Sequence, residues 1–461
     1  MIPPLVVRGL IAPLWARRER SPYLRVAARL AGDERMSADE RTELQWRALR
    51  EIVRYAADRV PFYRDRFREI GFRPEDLRRF EDLERIPLLT KGEIREHAET
   101  LRAEGTRRDR IWTKKTSGST GVSLFLEVDE DAMQWGRGVA IYRDGWTGWR
   151  LGEWRAFLWG NPPAEDTWKA WLRSRLLDRC AYLDTLAMDE ERMDVFARRI
   201  LALRPTLLLG HAHSLSLFAR FWKARSHPDP RLRAVLSTAM VLHPSERRTI
   251  EAVFGVGVYD RYGCEEVSLI ASECEAHRGL HLNTDSLHVE LLAGGRPAPP
   301  GVEGAVVVTD LRNRAMPLIR YRIEDVAVSS AEACPCGRTY PLLARVAGRV
   351  ADYLWTCDGK MVSGISLTEN FATLIPGVLQ VQIVQNERDH LLLRVVPEAG
   401  FGEKSIAAIR DLVALRFGAP MRFTIEKVAR IEPESSGKYR FAICEVPLDS
   451  ATWFGGAFPR S

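Results

Sequence analysis

The sequence predicts an α/β protein: a large N-terminal α/β domain followed by a small α+β C-terminal domain. In the middle of the chain, short apolar runs alternate with stretches of helical periodicity, which is typical of an α/β sheet. Beyond Gly348 the order changes to strand, strand, helix, strand. The 461 residues are enough for two or three domains. We therefore assign residues 1–347, with a helical segment over about 1–85, to the first domain and 348–461 to a small mobile domain.

The first elements are helices. Apolar residues recur at helical spacing between 38 and 70, and Val60-Pro61 interrupts this helix. Thr90 is placed to cap a helix that begins at Lys91. Further along, we expect buried strands at 206–209, 234–237, 256–259 and 305–309, and helices at 188–203 and 215–224. At the end we expect strands at 380–384, 391–396 and 421–428 and a helix at 404–417.

The composition argues against several classes of protein. Hydrophobic residues make up 46% and charged residues 28%, which is ordinary for a soluble globular protein. The net charge is +6, but acidic residues lie among the arginines, so we expect a solvated surface and no nucleic-acid partner. The seven cysteines are an odd number, and Cys334-Pro-Cys336 is too compact to brace a domain. A reducing, cytoplasmic location follows.

The N-terminus is apolar from Met1 to Ala16 and is followed by Arg17-Arg18. The run is shorter than the roughly 20 residues of a membrane span, and Arg8 interrupts it. A signal peptide carries its charge before the apolar run, not mainly after it. Two interpretations remain: a helix packed on its own protein, or a peripheral membrane contact.

The sharpest local feature is a loop rich in hydroxyl groups and glycine. Its sequence is Thr116-Ser117-Gly118-Ser119-Thr120-Gly121. The glycines let the backbone bring its N–H groups toward an anion, and the four hydroxyls add donors. The loop lies between apolar runs at 111–115 and 122–128, so we expect it to join two strands. An ordinary hairpin turn is the alternative interpretation.

Three further segments suit nucleotide chemistry. They are Asp260-Arg261-Tyr262-Gly263-Cys264-Glu265-Glu266, Arg320-Tyr321-Arg322-Ile323-Glu324-Asp325 and Ser435-Ser436-Gly437-Lys438. Tyr262 could stack on a base, and Glu266 offers oxygens to magnesium. Asp325 suits ribose hydroxyls, and Lys438 lies on a predicted loop that could carry it into a site. Taken singly, each segment is equally explained as a surface turn or a solvated stretch.

Together and in this order, these segments resemble the adenylate-forming enzymes, the superfamily of acyl-CoA ligases and peptide-synthetase adenylation domains. The resemblance is closer to the phenylacetate–CoA ligase and CapK-like branch, and it covers nearly the whole chain. The matching motifs are Val60 to Arg64, Pro87 to Lys91, Tyr262 to Glu266, Pro317 to Arg322, Cys334 to Arg338, Gly348-Arg349 and Gly437-Lys438. The fold implied is a multi-subdomain α/β domain of the adenylate-forming type with a small C-terminal domain.

The resemblance also implies roles for single residues. Thr116 to Gly121 looks like the loop that holds the ATP phosphates. Tyr262, within the segment that includes Asp260 and Gly263, looks like the residue that stacks on adenine. Glu266 looks like the magnesium ligand and Asp325 like the ribose ligand. Arg349 looks like the arginine at the hinge, and Lys438 is similar to the lysine that bridges the carboxylate and the α-phosphate.

Four positions depart from the pattern of the family. Met240 stands where a glutamate is usual, Glu324 where a glycine is common, and Ala351 at an acidic hinge position. Val122-Ser123 lacks the proline that often follows the phosphate loop. These changes bear on domain rotation and nucleotide affinity, and the motifs therefore support adenylation more strongly than they support a standard CoA ligase.

A structural zinc site is a further expectation. Cys334 and Cys336 present two thiols from one turn, and Cys274 and His281 flank a short segment after the Tyr262 motif. Similar cysteine and histidine positions accompany the Cys-x-Cys motif in relatives of this branch. Three sulfurs and one imidazole complete a closed tetrahedral shell. His277 is the alternative imidazole.

The activity implied is adenylation of a carboxylic acid by ATP with Mg²⁺, followed by acyl transfer to CoA. An amine or a carrier-protein thiol is the alternative acceptor, and a non-catalytic nucleotide-binding protein on a ligase scaffold is the second alternative. We expect the acid pocket along 135–159 and 210–214, with Trp135, Tyr142, His211 and His213 as candidates. Assembly as a homodimer is left open.

Overall fold

The computed structural model describes residues 2–115, 124–160, 167–185, 188–349, 353–358, 361–363, 367, 375–432 and 440–446. Within these residues, one mixed sheet of twelve strands organises the larger part of the chain. The strands among the described residues are β1 Ile111–Lys115, β2 Phe125–Asp129, β3 Arg155–Trp159, β4 Cys180–Asp184, β5 Leu207–His211, β6 Ala234–Thr238, β7 Val258–Cys264, β8 Ser268–Glu273, β9 Leu280–Leu282, β10 Leu287–Ala293, β11 Arg296–Pro297, β12 Glu303–Asp310, β13 Tyr321–Ser329, β14 Leu342–Arg349, β15 Tyr353–Trp355, β16 Met361–Ser363, β17 Val378–Glu387, β18 His390–Pro397, β19 Arg422–Lys427 and β20 Ala442–Cys444.

The α-helices cover the sheet and form the N-terminal region. They are Pro4–Val6, Ala12–Arg18, Tyr23–Gly32, Ala38–Arg59, Pro61–Glu69, Lys91–Glu96, Glu130–Asp144, Trp168–Arg173, Glu190–Leu203, Ala212–Ala224, Pro244–Phe254 and Glu403–Phe417. Two π-helical turns, Val7–Ile11 and Ser174–Asp178, continue the first and the eighth of these segments. Among the described residues, no helix is both long and apolar enough to cross a bilayer.

One half of the large sheet is parallel, in the order β4-β3-β5-β6-β7. Every residue of β5 is buried, as expected for a parallel strand that is covered on both faces. The helices Glu190–Leu203, Ala212–Ala224 and Pro244–Phe254 pack their apolar sides against this half. The predicted alternation of strands and helices is confirmed, with ends shifted by a few residues.

The other half is antiparallel and runs from β8 to the edge strand β11. Its core packs on the helices Ala38–Arg59 and Pro61–Glu69 through side chains such as Ile52, Val53 and Phe67. The predicted break in the long helix is confirmed, because Pro61 begins the second helix. Thr90 also caps the next helix as predicted: its hydroxyl accepts from the Glu93 N–H, and Glu93 accepts from the Thr90 N–H.

The C-terminal part has a hydrophobic core of its own. Four strands lie in the order β19-β18-β17-β20, and the helix Glu403–Phe417 packs on them through Ile409, Val413 and Phe417. The predicted order of strand, strand, helix, strand is confirmed, with the short β20 added beside β17. Strand β14 continues through Gly348 to Arg349, so the domain boundary at Gly348 stays a prediction.

Helix Glu130–Asp144 crosses Tyr23–Gly32 closely at Gly138. A Cβ atom at Gly138 would lie 2.6 Å from the Val26 Cβ and 2.7 Å from the Tyr23 carbonyl oxygen. The backbone oxygen cannot move without disturbing the N-terminal helix. Gly138 therefore permits the contact between the two helices.

We expect Gly138→Ala to lower the free energy of unfolding by about 2 kcal/mol, because overpacking forces backbone shifts. Gly136→Ala is the matched control, since a Cβ there meets nothing within 4 Å and alanine favours the helix by up to about 1 kcal/mol. Urea denaturation followed by circular dichroism measures both variants. Equal effects of the two substitutions would show that Gly138 does not set the helix contact.

Candidate functional site

A cavity of about 1260 Å³ opens at the carboxyl ends of the parallel strands. Its wall includes Trp159, His211 and Thr238, the last residues of β3, β5 and β6, and Gly263 near the end of β7. In open α/β sheets this edge is where ligands bind, because the connections there leave a crevice. The cavity therefore lies where the topology of the sheet predicts a ligand.

Two tyrosine–carboxylate hydrogen bonds join the end of β7 to the start of β13. The Tyr262 phenol donates to Asp325 Oδ2 over 2.7 Å, and the Tyr321 phenol donates to Glu266 Oε1 over 3.1 Å. Each segment thus supplies one phenol and one carboxylate to the other. Burial, together with the Glu266 charge, raises the pKa of Tyr321, so this phenol remains a donor. A hydrogen bond to a charged acceptor contributes about 1.5–3 kcal/mol.

Gly263 lets the β7–β8 turn close beneath these groups. The register of the two strands shifts between Tyr262 and Gly263. A Cβ at Gly263 would lie 2.5 Å from the Ser268 carbonyl oxygen, a distance that no side chain tolerates. The close approach of the two backbones therefore requires glycine, and it fixes where Glu266 emerges.

Asp260 lies on β7 next to an acidic neighbour. Its backbone N–H donates to Glu273 Oε2 over 2.7 Å. Burial, and then the charge of Glu273, raise the pKa of the Asp260 carboxyl to about 7, against the opposing effect of Arg247. This carboxyl is therefore partly protonated near neutral pH.

Glu324 is one of the departures from the family pattern, a glutamate where glycine is common, and its contacts show how the chain accommodates it. Its φ is 74°, a left-handed conformation that glycine adopts readily and that costs other residues about 1–3 kcal/mol. The Lys91 ammonium lies 2.9 Å from Glu324 Oε2 and offsets part of this cost. The segment of Lys91 is also held by backbone hydrogen bonds between Leu89 and the start of β13. Lys91 is thus a contributor to the site that the sequence analysis did not assign.

Two of the predicted nucleotide contacts, Thr116–Gly121 and Lys438, lie outside the described residues. The strands on either side of the loop are paired as predicted, with Lys115 opposite Phe125. Near the loop, the Lys114 ammonium donates to the Glu265 carbonyl over 3.2 Å and to Ser268 Oγ over 2.9 Å. The end of β1, which leads toward the loop, therefore lies beside the β7–β8 turn. On the backbone, Arg349 is the partner of Asp325 across β13 and β14.

Trp135 and His211 line the cavity, and the rings of His211 and Trp159 lie 4.7 Å apart. Tyr142 and His213 are not among the described residues of this wall, so their assignment to the acid pocket stays a prediction. Tyr142 packs against the Trp146 ring in an apolar cluster, because its helix turns this position toward the core. His213 is the second residue of its helix, 3.5 Å from Glu246 and 2.9 Å from Gln380.

The sequence analysis missed the arginines Arg137, Arg173 and Arg312 of this wall. Arg137 lies over the Tyr23 ring at 3.9 Å, and burial lowers its pKa. Arg312 lies over the Trp135 ring at 3.7 Å. Nothing in the local sequence distinguishes them from the many surface arginines, since the groups that position them come from distant segments.

Cys274, His281, Cys334 and Cys336 form a compact cluster beside this site, with their ligand atoms all within 4.8 Å of one another. The two sulfurs of Cys274 and Cys334 are 3.6 Å apart. His281 Nε2 lies 3.3 Å from Cys274 Sγ and 3.4 Å from Cys336 Sγ. A tetrahedral zinc shell has sulfur–sulfur edges of about 3.8 Å and sulfur–nitrogen edges of about 3.5 Å. The three distances above are close to these edges.

Neighbouring groups leave the side chains of the cluster in a state suited to binding a metal ion. His281 Nδ1 lies 3.3 Å from the Tyr340 carbonyl, an interaction that leaves Nε2 for a ligand. Burial lowers the pKa of His281 to about 4, so the imidazole is neutral. The Arg338 N–H donates to Cys336 Sγ. His277, the alternative imidazole, lies instead 3.2 Å from Glu273. All seven cysteines lie in the described part of the chain and are free of disulfides.

The chain is similar in sequence to several known proteins. Residues 354–445 match the family model described as the CapK C-terminal domain. The phenylacetate-coenzyme A ligase of Thermus thermophilus is 26% identical over 339 residues, which cover 70% of this chain and 73% of the relative. Protein CapK of Staphylococcus aureus is 21% identical over 413 residues, covering 87% and 88%.

A solved structure of 2-hydroxyisobutyryl-CoA ligase, in the postadenylation state with 2-HIB-AMP, superimposes with a TM-score of 0.72 at 22% identity. The match covers 90% of this chain and 91% of that one. The fold is therefore that of the adenylate-forming ligases. In sequence, the chain is similar to phenylacetate-coenzyme A ligases and to Protein CapK.

Proposed function

We propose that this protein is an AMP-forming ligase that joins a carboxylic acid to the AMP part of ATP and then transfers the acyl group to CoA. The observation that carries the proposal is the paired arrangement of Tyr262 with Asp325 and of Tyr321 with Glu266. Two carboxylates are held at the carboxyl edge of a parallel sheet, beside a large cavity. The relatives, named for CoA ligation, support the same activity.

In the first step an oxygen of the substrate carboxylate attacks the α-phosphorus of ATP, and pyrophosphate leaves. Both reactants are anions, so the barrier depends on positioning and on positive charge. Lys438 supplies that charge between the carboxylate and the α-phosphate in this proposal. Glu266 offers a carboxylate oxygen to Mg²⁺, which would neutralise the departing phosphates. Asp325 holds the ribose, and Tyr262 stacks on the adenine.

In the second step the CoA sulfur attacks the acyl carbonyl, a C–S bond forms, and AMP leaves with the electron pair of its C–O bond. The thiol proton passes to solvent. An amine would follow the same path to an amide. We favour CoA because the curated relatives are named for it.

We further propose that the four-residue cluster holds a structural zinc ion. Its three sulfurs and one imidazole leave no open position, which is the pattern of a structural rather than a catalytic site. The ion would tie the turn between β8 and β9 to the connection between β13 and β14. Arg338 extends this link to the N-terminal region, since it reaches Glu275 over 2.8 Å and also contacts Glu34.

We expect pyrophosphate release that depends on both ATP and an acid when the protein is tested against a library of carboxylic acids. Lys438→Ala should lower kcat about 10²–10³-fold, equivalent to ~3–4 kcal/mol of barrier, because a preorganised positive charge is lost. Lys404→Ala, an exposed lysine on the helix Glu403–Phe417, is the matched control and should retain activity. Adding CoA should give a thioester detectable by mass spectrometry.

The proposal fails if no acid gives Lys438-dependent pyrophosphate release. An amide in place of the thioester, formed with added amines, would retain adenylation and change only the acceptor. Failure to bind ATP or AMP with magnesium would assign the chain to a non-catalytic role.

For the zinc site we expect about one zinc per chain in protein purified without added metal. Replacing Cys334 and Cys336 together by serine should abolish the metal and lower the thermal stability, because the binding free energy is part of the folding free energy. Cys357→Ser is the control, since this exposed thiol lies outside the cluster. Zinc below about half an equivalent, unchanged by the double substitution, would contradict the site.

A further inference from the structure

Large apolar side chains that face solvent concentrate at the N-terminus. Leu5, Leu10 and Leu14 are 70%, 56% and 58% exposed. Ile2 and Val6 beside them are exposed as well. A monomeric soluble protein rarely presents so many apolar groups together, and such patches mark interaction surfaces.

The backbone of this segment explains how one helix buries one apolar face and exposes another. The π-turn Val7–Ile11 lies between the α-helical segments Pro4–Val6 and Ala12–Arg18. Val7 and Ala12 are five residues apart across the turn, Ala16 follows four later, and all three are buried. Leu5, Leu10 and Leu14 repeat the same spacing of five and then four. The extra residue of the π-turn thus keeps both faces in line.

A second helix carries exposed tryptophans beside this one. Val7 and Ala12 pack against Leu177, at the end of the turn that follows helix Trp168–Arg173. Arg173 Nη1 lies 3.0 Å from Glu19 Oε1, and Arg179 Nη2 donates to the Ile2 carbonyl over 2.6 Å. On this attached helix, Trp168 is 68% exposed and Trp171 is 49% exposed. Tryptophan favours the boundary between water and lipid because its ring is apolar and its N–H is polar.

Positive charge surrounds these apolar groups. Residues 2–30 contain six arginines and one acidic residue, Glu19. Residues 167–180 contain four basic residues and one acidic residue, Asp178. Arg17 and Arg18 follow Leu14 by three and four residues, so they continue its exposed side of the helix. A second copy of the same surface would bring like charges together, whereas anionic lipid headgroups complement them.

We propose that this N-terminal apolar surface, formed by Leu5, Leu10, Leu14, Trp168 and Trp171, docks the protein on a bilayer that contains anionic lipids. The apolar side chains enter the headgroup boundary, and the arginines contact phosphates. Glu19 and Arg173, which join the two helices, also line the cavity that reaches Glu266. Docking therefore places this end of the cavity next to the membrane.

The test is sedimentation of the full chain with phosphatidylcholine vesicles, with and without phosphatidylglycerol, at low and at high salt. We expect binding to the anionic vesicles that weakens with salt. Leu10→Glu combined with Leu14→Glu should reduce binding at least about tenfold. Leu415→Glu is the matched control, because Leu415 is 73% exposed on the C-terminal helix.

A second pair of variants tests the charge. Arg17→Glu with Arg18→Glu should remove the preference for anionic vesicles, whereas Arg47→Glu with Arg73→Glu, at exposed positions elsewhere, should keep it. Circular dichroism should be unchanged in all variants. No binding to anionic vesicles at low salt, or equal loss in test and control variants, would overturn the proposal. Dimerisation that Leu10→Glu abolishes, without vesicle binding, would assign the surface to a second copy. None of these measurements uses ATP or an acid, so they stand apart from the proposed activity.

Discussion

The site depends on the reciprocal bonding of Tyr262 to Asp325 and of Tyr321 to Glu266. These four residues lie on β7, on β13 or in the turn after β7. The two strands are not neighbours, because β8, β9 and β14 separate them in the sheet. Backbone hydrogen bonds therefore cannot hold the two carboxylates in register with each other. The side-chain hydrogen bonds do so directly. Each of them also orients one of the two carboxylates, whose like charges repel each other.

Other features support the same span from either side. The ion pair with Lys91 holds the strained residue Glu324, which directly precedes Asp325 on β13. The cysteine–histidine cluster lies where β8 and β9 meet the connection between β13 and β14. Lys114 attaches the end of β1 to the β7–β8 turn. Segments that are more than a hundred residues apart in sequence thus meet around one cavity.

Much of the fold could be predicted because it follows from local patterns. The break at Pro61, the capping box at Thr90 and the apolar runs of the parallel strands depend on residues that are close in sequence. The cysteine–histidine cluster could also be predicted from the sequence, because chemical type and short spacing restrict which thiols and imidazoles can meet. The choice of His281 over His277 matches the geometry, although the ion itself stays a prediction.

Other parts could not be predicted, because they depend on contacts between distant segments. Tyr142 and His213 were predicted to line the acid pocket, whereas the contacts they make in the structure, with Trp146 and Glu246, lie outside the described wall of the cavity. Tyr321 was noticed only as part of a motif, and its role appears once β13 faces Glu266. The π-turn at Val7–Ile11 adds one residue to the helical repeat, and the periodicity of the sequence alone did not predict it.

The most direct test of the account is the fate of the carboxylate oxygen. When an acid labelled with ¹⁸O in its carboxylate is turned over with ATP and CoA, acyl adenylation predicts that one labelled oxygen appears in the phosphate of AMP. That oxygen becomes the bridge to the α-phosphorus in the first step and leaves with AMP in the second. Label in inorganic phosphate, or turnover with no label in AMP, would contradict the central claim.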